Sequence, residues 1–342
     1  MTRDRPALSV RVHGGMAASA CVAVAEAAER WDFDTLWFAE NMFDRGIWPA
    51  LTAAALATKR IKLGPGVFNP YNRHPSLIAM EMAAFDELSG GRAVLGLGSG
   101  TAEAVQRMGL VYRPQPALRD ACHIVRQMLR GEAASYAGAV FSARGAQLAF
   151  KPRRAELAIY VAAMGDLVLQ LVGELADGLM VSNLCPPGFT AWSRDLVAKG
   201  AAKAGRPVPS AVIHYVPCLV RRDRRAAIEG IKPFIGRMMV GYWKIAESAP
   251  VMRRGFLMGS GIGEAETTAA IEKLQAGAAA TDILDDRYVE TYAIAGNADD
   301  ALAAVERYAA VGVTELVLTF TGDQPTADMA YLGDAMRAAR GA

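Results

Sequence analysis

Short β-rich runs alternate with amphipathic helical runs about eight times along these 342 residues, and few architectures accommodate that order. LSVRVH (8–13), TLWFAE (35–40), IKLGPGV, RAVLGLG (92–98), AIYVAA, GLMVSN, SAVIHYVPCLV and VTELVLTF read as strands from their apolar and β-branched residues. Helical periodicity follows them at 17–31, about 48–59, 75–88, through ALRDACHIVRQMLRG, in DLVLQLVGELA, and at 188–204 and 223–247. Further helices are expected at 298–311 and 327–340. Parallel strands joined by right-handed helical crossovers close naturally into an α/β (β/α)₈ TIM barrel, with a doubly wound sheet as the other solution. A barrel of about 250 residues plus insertions accounts for the length without a second domain. The surplus falls at a hairpin near 134–151 and at 248–292, so the expectation is one domain with two insertions and no linker.

The composition excludes several partners. Lys and Arg number 37 against 35 Asp and Glu, and no basic stripe is present, which argues against nucleic acid or an acidic membrane surface. The N-terminus MTRDRPALSV lacks an apolar signal core, and the most apolar later stretch is broken by Asp166, Glu174 and Asp177, so neither secretion nor a membrane span is expected. Cys21, Cys122, Cys185 and Cys218 lie far apart without ligand spacing and read as reduced, partly buried thiols of a cytoplasmic protein, with no metal site.

One segment asks for more than a turn. GPGVFNPYNRHP (64–75) places three prolines, two glycines, two asparagines and an Arg-His pair between a strand and a helix, where about 2–6 residues would do. In a barrel the chemistry sits at the C-terminal ends of the strands, which makes this a ligand loop with donors Asn69, Asn72, Arg73 and His74. A tight turn with Pro75 opening the next helix explains Pro75 but not Gly66-Val67 together with the polar cluster. GLGSGT (96–101) is GxGxG, not GxGxxG, and no strand ending in an acid follows about 20 residues on, so a dinucleotide-binding Rossmann unit fits poorly. The same glycines equally suit a close-packed turn.

GPGVFNPYNRHP with its helix, GGR and VLGLGSG resembles the luciferase-like superfamily of flavin- and deazaflavin-dependent oxidoreductases, within it the methylenetetrahydromethanopterin reductases. AAMGDLVLQLVGELADGLMVS and DDRYVETYAIAGNADDALAAVERYAAVGVTELVLTF extend the resemblance over most of the chain except about 220–280. The resemblance implies coenzyme F420, or alternatively FMN or NADPH, in the barrel mouth. It also implies a non-prolyl cis peptide after the third strand behind the ring, by position Gly66-Val67. Asn41, Asn69, Arg73, Gly98, Ser99, Gly100, Ala163, Met164, Gly165, Asp166, Ser182 and Asn183 fall at the implied cofactor positions. Glu40 and Asn41 stand where the family often has Asp-His.

The resemblance breaks at LSVR. Arg11 takes the place of a glutamate that acts near the pterin, and an Arg11–Glu40 ion pair in the mouth is one expectation. Glu40 is then the candidate acid and Arg73 a donor fork for a phosphate or carboxylate. The implied function is hydride transfer to a small organic substrate, by best guess reduction of a methylene-tetrahydropterin of methanopterin or folate type, by a homo-oligomer. An FMN-dependent monooxygenase and a cofactor-free binding barrel are the alternatives.

Overall fold

The computed structural model describes residues 5–341. Eight parallel strands form the central sheet: β1 (Ala7–His13), β2 (Thr35–Ala39), β3 (Lys62–Pro65), β4 (Leu95–Leu97), β7 (Ile159–Ala162), β8 (Gly178–Val181), β9 (Ala211–Val220) and β11 (Glu315–Phe320). The order is β3-β2-β1-β11-β9-β8-β7-β4, and parallel bridges Leu63–Ala93 and Phe68–Leu97 join its two ends. The sheet therefore closes into the expected (β/α)₈ barrel. The remaining strands decorate it. β5 (Ala134–Ala137) and β6 (Ser142–Ala146) make an antiparallel hairpin, and β10 (Ile294–Gly296) extends the C-terminal end of β9.

Helices α1 (Ala18–Arg30), α2 (Ile47–Ala57), α3 (Pro75–Leu88), α4 (Ala102–Arg107) and α5 (Pro114–Leu129) cover the first half. They are followed by α6 (Asp166–Leu175), α7 (Pro187–Lys203) and α8 (Arg224–Ser248). The segment after α8 folds as α9 (Pro250–Leu257), α10 (Glu264–Gln275), α11 (Ala280–Ile283) and α12 (Asp286–Tyr292), before α13 (Ala298–Ala310) and α14 (Pro325–Gly341) close the chain. Local chemistry sets the ends. His74 accepts the Ser76 N–H ahead of Pro75 at the start of α3, and Asn297 with Asp300 forms a reciprocal capping box on α13.

Strand alternation sorts the apolar side chains into two cores. Outward residues such as Leu8, Val10 and Val12 join the helices in the main core, whereas Trp37, Met180, Ile213, Tyr215 and Val317 fill the barrel interior. A separate cluster of Ile231, Ile235, Trp243, Phe256, Tyr288 and Tyr292 holds α8–α12 together. The four cysteines are free and buried. No helix among the described residues is long and apolar enough to cross a membrane.

Candidate active site

The backbone after β3 makes the wall of the mouth. Gly66-Val67 is a cis peptide. Gly66 donates its N–H to Phe38 O at 2.8 Å, and its carbonyl accepts from the Tyr215 hydroxyl at 3.3 Å. A Cβ at position 66 would collide with that hydroxyl and with Trp37, so only glycine fits. Beyond the bulge, Phe68 N–H bonds Gly96 O and Gly98 N–H bonds Phe68 O. The Val67 side chain occupies the space that a Cβ on Gly98 would need, and a Cβ on Gly96 would strike Met180 Sδ and the Pro65 carbonyl before reaching Val67. Those two glycines thus make room for the bulge. Gly100, at φ +65°, lies against Asn69, whose Oδ1 accepts the Tyr71 N–H while its buried Nδ2 has no partner. Ser99 Oγ is 3.1 Å from the Tyr112 hydroxyl.

Arg73 departs from expectation. Its Nη1 lies 2.8 Å from Glu40 Oε2 and its Nε 2.7 Å from Glu81 Oε2, and its guanidinium stacks 4.4 Å from the Phe68 ring centroid. The side chain is 14% exposed and has a carboxylate on each side, so its fork is not open toward the mouth. Burial pushes the Glu81 carboxyl up even against the pull of Arg73. Glu40, with its side chain 7% exposed, therefore pairs with Arg73, and the expected Arg11–Glu40 pair is not formed. Asn41 turns away to Asp44 at 3.0 Å.

Arg11 lies on the inward face of β1, between Ser9 and His13 in the strand alternation. Below it, the enclosed Glu315 carboxylate accepts from Ser9 Oγ at 2.6 Å and from Trp37 Nε1 at 2.7 Å, and burial raises its pKa. No acceptor among the described residues lies within bonding distance of the Arg11 guanidinium. Burial lowers its pKa from the usual arginine value, opposed by the nearby phenols of Tyr242 and Tyr215. His13 is also lowered, first by burial and then by Arg11.

The opposite rim joins β7 and β8 to the insertion. Ala163 is buried, and Met164 packs against Gly255 of α9. Gly165 caps α6 with extended backbone, and Asp166 forms an ion pair with Arg254, which stacks 4.5 Å from Trp192. Ser182 Oγ meets the Tyr242 hydroxyl at 3.1 Å, and Asn183 is 7% exposed with its Oδ1 unpartnered. Burial raises the Tyr242 pKa, so the phenol stays protonated. Tyr242 and Arg254 are absent from the sequence-based set. They lie in the stretch the resemblance omits, and the Tyr-Trp pair at 242–243 reads there as part of an amphipathic face.

The arrangement is thus a barrel mouth walled by a glycine-backed bulge, with one unpaired guanidinium and several phenol and amide groups. The family model described as luciferase-like monooxygenase matches residues 4–315. The 5,10-methylenetetrahydromethanopterin reductase of Archaeoglobus fulgidus is 33% identical over 294 residues, covering 85% of this chain and 86% of the relative. That of Methanolobus tindarius is 30% identical, covering 86% and 87%. Among solved structures, the coenzyme F420-dependent tetrahydromethanopterin reductase of Methanopyrus kandleri superposes with a TM-score of 0.83 at 24% identity, over 97% of this chain and 98% of that one. With its barrel closed and the family model spanning nearly the whole chain, the protein belongs to the luciferase-like monooxygenase family.

Proposed function

We propose that this protein is an oxidoreductase that moves a hydride between coenzyme F420 and a small organic substrate, with a methylene-tetrahydropterin reduced to its methyl form as the reaction. The observation that carries the reading is the glycine-backed Gly66-Val67 bulge at the barrel mouth, in a chain whose 33%-identical relative is a methylenetetrahydromethanopterin reductase. The residues present suit a flat ring with a phosphate tail. Gly66, Gly96 and Gly98 keep side chains out of the wall, and the orphaned Asn69 Nδ2 and Asn183 Oδ1 are polar atoms awaiting partners.

Gly66 and Val67 would back the ring, with Gly98, Ser99 and Gly100 beside it. Ser182, Asn183 and the start of α6 at Ala163–Asp166 would meet the tail. Backbone N–H groups at a helix start favour a phosphate, and Arg254 offsets the charge of Asp166. When bound, the deazaflavin supplies the hydride-carrying carbon. The chain's own part is to stack, orient and exclude water. A proton for the substrate nitrogen comes from Tyr242, whose phenol is neutral and sits against Ser182 at the end of β8, since the Arg11 guanidinium holds its protons too tightly. Glu40, clamped by Arg73, keeps the end of β2 in place.

The protein acts in this reading as a single-domain cytoplasmic homo-oligomer. The test is anaerobic titration of the apo-protein with reduced F420, FMN and NADPH, each assayed against methylene-tetrahydrofolate and methylene-tetrahydromethanopterin. Saturable F420 binding with methyl-pterin formation is expected. Turnover with FMN and O₂ alone would reject the reading in favour of a monooxygenase.

A further inference from the structure

Among the described residues Arg11 has no carboxylate partner. Its inward register is fixed by the alternation of β1, in which Val10 and Val12 pack outward into the main core. The registered pairs Val10–Leu36 and Arg11–Trp37 toward β2, and Val10–Leu318 toward β11, set its height in the barrel. One residue beyond Val10–Leu318, β11 presents Thr319 on the same inward face as Val317. Thr319 is 5% exposed, and its Oγ1 has no partner. Tyr242, whose phenol lies close enough to act on the Arg11 charge, meets Ser182, next to Asn183 with its unpartnered Oδ1. The barrel thus holds a partly buried guanidinium fork near an unsatisfied hydroxyl and a protonated phenol.

Keeping a cation in such a place is costly unless something pairs with it. The other two arginines at the mouth each have a carboxylate at hand: Arg73 has Glu40 and Glu81, and Arg254 has Asp166. A planar fork of donors matches a carboxylate in both shape and charge. Neither Asp44, which accepts from Asn41, nor Glu315, which accepts from Ser9 and Trp37, forms an ion pair with it.

We propose that Arg11, with the hydroxyl of Thr319, binds a carboxylate of the substrate and so selects pterins that carry one. The inference deepens the proposed function by naming the group that this site recognises, and it rests on that reading for the word substrate. Binding itself is independent of turnover.

The test is anaerobic calorimetry on the apo-protein with three probes: tetrahydrofolate, which bears glutamate carboxylates; 6-methyltetrahydropterin, which bears none; and glutarate, a carboxylate without a pterin. Wild type is expected to bind tetrahydrofolate and glutarate. Arg11→Gln should weaken both by about tenfold or more, Arg11→Lys should restore part of the loss, and the tailless pterin should be unaffected. The thermal midpoint of Arg11→Gln should equal or exceed that of wild type, because the substitution removes a partly buried charge with no carboxylate partner, whereas a structural arginine would lower it.

Unchanged glutarate and tetrahydrofolate binding in Arg11→Gln, an equal loss for the tailless pterin, or no binding of either carboxylate by wild type overturns the proposal. A parallel assay with reduced F420 separates the two readings. Arg11-dependent carboxylate binding without any hydride transfer leaves Arg11 assigned and removes the F420 function.

Discussion

Arg73 shows how much a side chain's role depends on its neighbours. The fork that sequence alone aims at a ligand is held between Glu40 and Glu81, so Arg73→Ala leaves two poorly exposed carboxylates without their cation. Breaking such a pair costs about 3–5 kcal/mol. Urea unfolding should register a loss in that range for Arg73→Ala, and a loss under about 1 kcal/mol would return Arg73 to the ligand-binding set. Tyr242→Phe should lower kcat by about 10²–10⁴ while F420 affinity stays within a few-fold. Wild-type turnover in that variant would show that the proton comes from elsewhere. Sequence spacing could place Glu40, Arg73 and Arg11 near the mouth, because each sits at or near a strand end. It could not say which acid meets which base, since Arg73 and Glu40 are 33 residues apart and their partnership depends on side-chain reach.

Among elements, the segment after β3 was the most legible. Its glycines and prolines restrict the backbone directly, and the cis bond at Gly66-Val67 lies where the resemblance puts it. The reason for glycine at 66 was hidden, because it is the hydroxyl of Tyr215, 149 residues away. That contact makes a rescue experiment. Gly66→Ala should destabilise the fold by about 1–3 kcal/mol through overpacking, and adding Tyr215→Phe should recover part of it by removing the atom that a methyl would strike. If the double variant is less stable than the additive sum of the two singles, the collision is not the cause. From sequence the segment 248–292 reads only as an insertion. Its helices α9–α12 draw their order from packing on α8, so local pattern alone gave little sign of how they cap the mouth.

At the scale of the whole molecule, the repeated strand-helix alternation was enough to give the barrel, because parallel strands with helical crossovers have few ways to close. Its pH stability carries one readable signature. His214 on β9 is buried against Thr190 and Tyr308 with its Nε2 unpartnered, and burial pushes its pKa from 6.5 down to about 3. Between those limits the unfolded chain binds a proton that the folded chain refuses. Stability therefore falls as pH drops through that window, by up to ~1.4 kcal/mol per pH unit, and this group contributes no slope above it. Unfolding of His214→Gln followed from pH 7 to pH 4.5 should show a slope shallower than wild type by about one proton, and parallel curves would contradict the assignment. The account's central claim, that this barrel mouth carries hydride from a deazaflavin to a methylene-pterin, is tested most directly by a single turnover. F420 reduced with deuterium at its hydride-bearing carbon is mixed anaerobically with the protein and methylene-tetrahydropterin, and the product is read by mass spectrometry. One deuterium in the new methyl group is the predicted result, and a methyl product without label, or no product from a protein that binds both ligands, would contradict it.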